Sequence, residues 1–141
     1  MTNAENLLAA KYQFRAFNDR WEKMRDILVG IHMVNADVPR PVYSADGHRL
    51  CYLVTDIRLF CQFTFAQNIG ILLFGFIRVD AKGGEEAVGT SKMYFDALGN
   101  VRETLESAPP LANMTRREEY DKFFFKGMLT AQNVAFAEKL R

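Results

Sequence analysis

Four side chains have the widest chemical repertoire here: His32, His48, Cys51 and Cys61. A zinc site needs such residues clustered, and no Cys-x-x-Cys pair or helically spaced histidine pair occurs. A cysteine nucleophile needs a base beside it and an electropositive, partly open setting. Cys61 alternates with Leu59 and Phe63, which reads as core. Cys51 lies three residues from His48, and an odd offset in a strand puts the two on opposite faces.

General acid–base chemistry could draw on Asp46, His48, Asp56 or the Asp96–Glu103 region. If Gly99-Asn100 turns the chain tightly, Asp96 and Glu103 approach each other at a sheet edge. Solvated hairpin charges are the plainer reading. Gly83-Gly84 could suggest a phosphate loop, but Glu85-Glu86 follows and would repel the anion. Phe14, Phe17 and Trp21 could stack on a flat ligand; their helical spacing assigns them first to core packing. No catalytic, cofactor-binding or metal-ligating set is therefore expected.

The elements that would position these residues begin with a long helix. Leu7, Ala10, Phe14, Phe17, Trp21, Met24, Leu28 and Ile31 recur at spacings of three and four, an a/d pattern lasting more than three heptads. Leu8, Tyr12 and Ile27 widen the stripe. Thr2 or Asn3 can cap it, with Glu5 in the first turn. The predicted helix spans 4–36, about 45 Å at full length. A compact domain cannot cover that length, so either Gly30 breaks it or part of it projects.

Pro39-Arg40-Pro41 ends the helical region, and an antiparallel meander of four to five strands is expected over 42–104. Asp46-Gly47 suits a type I′ hairpin. Thr55-Asp56 reads as a turn or bulge. Gln67-Asn68 suits a two-residue turn that sets Phe63 against Leu72 and Cys61 against Phe74. Ile69–Val79 is apolar on both faces, so a central strand covered on both sides is expected. Gly70 and Gly75 within it suggest a bulge or the close approach of another group. Val88–Ala97 reads as a further strand, and Val101–Thr104 as a short edge. A linker over 105–114 leads to a second helix over 115–139, opened by a capping box, Thr115-Arg116-Arg117-Glu118, with Gly127 as a weak point.

The whole reads as one α+β domain of 141 residues, enough for a core without staples. Hydrophobic residues make up 49%, charged residues 25%, and Phe occurs twelve times, so a large-residue core is expected. The net charge of +1 disfavours a dedicated nucleic-acid binder. Charge is uneven: residues 80–114 carry six acidic and three basic side chains, and 115–141 carry six basic and four acidic. No apolar run is long enough to span a bilayer, and no secretory signal opens the chain. With only two cysteines, a cytoplasmic protein with reduced thiols is expected.

These features favour a non-catalytic protein-interaction module, such as a small inhibitor, immunity or adaptor protein, binding another protein and self-associating as a homodimer. The alternative is a small-ligand-binding or sensory domain with an aromatic-lined pocket between sheet and helix. Phe14, Phe17, Trp21, Phe60, Phe74 and Phe76 are the candidate interaction or pocket residues.

Overall fold

A computed structural model describes residues 2–34, 41–54, 57–66, 68–106 and 109–139. The fold is α+β. Helix α1 (Asn3–Val34) comes first, and helix α2 (Tyr120–Lys139) closes the described chain behind a single 3₁₀ turn at Arg117–Glu119. Between them lie β1 (Val42–Tyr43), β2 (Arg49–Val54), β3 (Ile57–Ala66), β4 (Ile69–Val79), β5 (Glu85–Phe95), β6 (Asn100–Arg102) and β7 (Ala112–Asn113). Every strand pairs antiparallel with its sequence neighbour, giving one sheet in the order β1 to β7.

Seven strands among the described residues exceed the four to five expected. The additions are short. β7 lies inside the stretch read as a linker and pairs Val101 with Ala112, so β6 is flanked by a strand rather than forming the edge. Two residues just after Pro109-Pro110 show no periodicity, and only pairing with β6 makes them a strand. β5 begins three residues earlier than expected, because Glu85 and Glu86 pair with Val79 and Arg78. Charges in a hairpin arm look like loop in sequence. A bulge follows, where Phe76 faces Gly89 and Ile77 faces Ala87.

The central register is the one the alternation implies: Phe63 faces Leu72 and Cys61 faces Phe74. Asn68 takes φ +68° in the connecting turn. Gln67, Thr55 and Asp56 lie outside the described residues.

Three other hairpins share one construction: Ser44-Ala45-Asp46-Gly47, Asp80-Ala81-Lys82-Gly83 and Asp96-Ala97-Leu98-Gly99. In each, the glycine amide donates to the first residue's carbonyl at 3.0 Å. The glycine sits at positive φ, +76°, +81° and +86° in turn, which a side chain would resist. The first side chain caps the turn. Asp80 Oδ1 accepts from the Lys82 and Gly84 amides, and Asp96 Oδ1 from the Leu98 and Asn100 amides. The Asp46-Gly47 turn is therefore not type I′, which needs positive φ at both central residues; Asn68 is the one described non-glycine residue there.

Both helices pack on the same face of the sheet. The core joins Phe17, Trp21, Met24 and Leu28 of α1 with Phe63, Leu72, Phe74, Met93 and Phe95 of the strands and Tyr120, Phe123, Phe124 and Met128 of α2. α1 is continuous through Gly30. Its middle is pinned at two hairpins. Trp21 Nε1 donates to the Gly47 carbonyl at 2.7 Å, Arg20 Nε donates to the Ala97 carbonyl at 3.0 Å, and the Tyr43 hydroxyl donates to the Arg25 carbonyl.

α2 is seated at Gly127. A methyl group there would stand 2.5 Å from the Phe74 ring, and the Ser91 hydroxyl donates to the Gly127 carbonyl. The expected weak point in the helix is a site of close helix–sheet approach. The expected capping box of α2 takes another form. Asn113 accepts from the Thr115 amide and hydroxyl, while Glu119, not Glu118, accepts from the Asn113 amide at 2.8 Å. The reciprocal box lies at α1, where Thr2 Oγ1 accepts from the Glu5 amide and Glu5 accepts from the Thr2 amide.

With both helices on one face, the expectation that elements cover β4 on each side is corrected. Around Gly75 the outer face is covered by side chains of the sheet itself, while Ile71 and Leu73 are half-buried. The Phe60 ring lies across Gly75, where a Cβ would come within 2.0 Å of it. The Arg49 guanidinium rests 4.2 Å above that ring. Phe60 and Ile77 are buried there with no described helix over them. Gly75 thus marks close approach, as does Gly70 beneath Phe95.

Candidate interaction surface on the first helix

Of the residues singled out for binding, Phe17, Trp21, Phe74 and Phe76 are buried on the helix-covered face, and Phe60 is buried on the opposite one. Phe60 therefore cannot line a pocket with Phe74 and Phe76. Phe74 fills its own space against Gly127 and Phe124. Phe14 is the exception, at 38% exposure. Its ring meets His48, Phe63 and Phe65 at centroid distances near 6 Å, so it stands at the boundary between core and solvent.

Before Phe14 the helix leaves the sheet. Leu7 is 75% exposed, Leu8 51% and Tyr12 59%. Ala4, Leu7, Leu8, Lys11 and Phe14 line one open groove of about 500 Å³. At about 100° per residue, Leu7 and Phe14 stay on the seam that Trp21 continues into the core, while Leu8 and Tyr12 lie off to one side of that seam. The exposed stripe therefore continues the buried seam and widens it towards Leu8. Sequence reasoning included Leu7, Leu8 and Tyr12 in the periodic stripe but not among the site residues. The available signal was Leu8 and Tyr12 falling beside the a/d seam, where one packed face has no room for them.

The groups considered for chemistry are engaged elsewhere. The Ser44 hydroxyl donates to Asp46 Oδ1 at 2.6 Å, and Asp46 also accepts from the His48 amide. His48 Nδ1 stands 4.0 Å from Asp46. The carboxylate lies between serine and histidine, so the histidine is not placed to take the serine proton. The Ser44 hydrogen bond, then that of the His48 amide, holds Asp46 below the usual carboxylate range. His48 packs against Phe14 and Phe63 on the helix side. Cys51 pairs with Phe60 in the register of the opposite face.

Asp96 and Glu103 do not meet. Partial burial works to raise the Asp96 pKa, but hydrogen bonds from Asn100, Leu98 and Arg102 outweigh it and hold the group below its ordinary value. Glu103 pairs with Lys126 across to α2. Asp56 lies outside the described residues. Burial raises the pKa of both thiols, and Cys61, fully enclosed, is moved furthest. Gly83-Gly84 leads into β5, so no helix amino terminus follows it. Among the described residues no three His, Cys, Asp or Glu side chains gather as a metal would require. No described helix is long and apolar enough to cross a membrane.

No family model, no curated protein and no solved structure matches this chain.

Proposed function

We propose that this chain is a non-catalytic protein-interaction module that presents the first turns of α1 to another polypeptide. A homodimer through this stripe is the self-associating form of the reading; binding to a different protein, as an inhibitor or adaptor does, is the other. One observation carries it. The helix that supplies the buried Trp21 also sets the exposed Leu7 and Leu8 and the half-exposed Phe14 along one open groove over its first turns. Scattered exposed apolar residues are ordinary on protein surfaces, but a contiguous run on one projecting element marks an interaction site. Two free thiols, Cys51 and Cys61, accord with a reducing, cytoplasmic setting.

The test pairs light scattering over a range of concentrations with affinity capture, comparing the native chain with Leu8→Asp. The expected result is an association, with itself or with a captured protein, that the substitution abolishes while the unfolding midpoint is unchanged. A monomer whose captured proteins are the same with and without the substitution would refute the reading.

A further inference from the structure

The charges on the projecting stripe define its occupant. This inference rests on the interaction reading above and adds the partner's chemistry. Lys11 stands at the centre of the apolar groove, flanked by Leu7 and Leu8 and ending at Phe14. Arg15, one turn further on the same side at about 100° per residue, is also exposed. Within the span of the groove the acidic residue is Glu5, turned roughly 120° from Lys11 by the same arithmetic, and Asp19 lies one turn beyond Arg15, about 40° from it. The Glu5 carboxylate is held by the Thr2 amide. The groove from Ala4 to Phe14 is thus apolar with Lys11 at its centre and no acid aligned with it, and the second cation, Arg15, stands between the groove and Asp19.

A second copy fits it poorly. A parallel pair of α1 tips would set Lys11 against Lys11 and Arg15 against Arg15. An antiparallel pair centred on the groove would bring both lysines within a turn of each other. Like charges brought together at an interface core are costly. From Ala4 to Phe14 the groove runs about 15 Å, the length over which a short amphipathic helix lays apolar residues at i, i+3, i+4 and i+7.

We infer that the occupant is an acidic amphipathic helix of another protein, its leucine-like residues on Leu7, Leu8 and Phe14 and its carboxylates on Lys11 and Arg15. Three turns offer less than the roughly 800 Å² per partner of a standard stable interface, so a weak, reversible complex in the micromolar range is expected.

The test titrates the full chain with two labelled peptides and reads fluorescence anisotropy. One peptide is helical with leucines at i, i+3, i+4 and i+7 and glutamates beside them; the other carries lysine at every glutamate position. The acidic peptide should bind saturably and at least about ten-fold tighter than the basic one, a difference of about 1.4 kcal/mol. Leu8→Asp should remove that binding, and Lys11→Glu with Arg15→Glu should reverse the preference. Circular dichroism checks that each variant folds. Equal affinity for the two peptides, or saturable binding by neither, overturns the inference. So does a dimer lost in Leu8→Asp, or pelleting of the chain with phosphatidylserine vesicles. The dimer would leave the interaction reading standing with a second copy as occupant. Peptide-independent monomers with Leu8→Asp silent in affinity capture would remove both.

Discussion

The two halves of α1 obey one spacing rule and meet different fates. From Phe17 to Leu28 the apolar positions are enclosed by strands and α2, and Trp21 is wholly buried with its indole N–H bonded to Gly47. Ala4, Leu7, Leu8, Lys11 and Tyr12 meet solvent. The difference lies in the sheet, not in the helix. The strands extend far enough to cover only the carboxy-terminal half, and the Ser44–Gly47 and Asp96–Gly99 turns mark where cover ends. Periodicity reports that a face is apolar; it does not report what, if anything, lies opposite.

Substitutions can break this contrast. The largest effect is expected from Trp21→Ala: about 3–5 kcal/mol of stability lost, from the cavity and from the hydrogen bond taken from the half-buried Gly47 carbonyl, read by denaturant unfolding. A loss below about 1 kcal/mol would mean the seated half is no more packed than the free one. Gly127→Ala comes next. Its new methyl would meet the Phe74 ring at 2.5 Å, and overpacking of this kind costs about 1–3 kcal/mol. The cost should fall in a Phe74→Leu background, where the ring is gone, and a double-mutant cycle measures that coupling.

Asp96→Ala should cost about 1–2 kcal/mol at pH 7, because one carboxylate caps two turn amides and pairs with Arg102. With its folded pKa below the usual value, the stabilisation is complete above about pH 4 and is lost as pH falls through the lower folded value. The native chain and the variant should therefore converge in stability on acidification. A gap unchanged from pH 7 to pH 2 would assign the effect to packing instead.

Two tyrosines sharpen the comparison on the seated side. The Tyr120 hydroxyl donates to the Met114 carbonyl at 2.7 Å, while the Tyr52 hydroxyl is buried without a partner among the described residues. Tyr120→Phe should lose about 1 kcal/mol, and Tyr52→Phe should be neutral or stabilising, with melting temperature as the readout. The smallest effect belongs to the free half: Leu8→Ala should change stability by no more than about 0.5 kcal/mol. A larger loss would show that Leu8 is seated after all.

Much of the fold is legible in the residues. The α1 stripe, the Phe63–Leu72 register and the glycine-rich turns follow from periods of 3.6 and 2 and from backbone preferences that act over a few residues. The placement of aromatics is less so. The Cys61–Phe74 register already turns Phe60 away from Phe74 and Phe76, but that the Phe60 ring lies over Gly75 and under Arg49 follows only from the packed sheet. β7 was hidden for a related reason. Ala112 and Asn113 have no signature until Asn100 and Val101 offer them partners.

The candidate surface shows the limit most clearly. Leu7, Leu8, Tyr12 and Phe14 were visible as members of an apolar stripe, but burial depends on which atoms lie across a gap, and those come from distant parts of the chain. The sequence by itself determined the two helices, the antiparallel meander, the central register and the apolar character of α1, because each rests on local spacing. Only the tertiary structure decided that both helices share one face, that Gly127 receives a phenylalanine ring, and that the first turns of α1 extend past the sheet. Those outcomes depend on contacts between residues far apart in the chain.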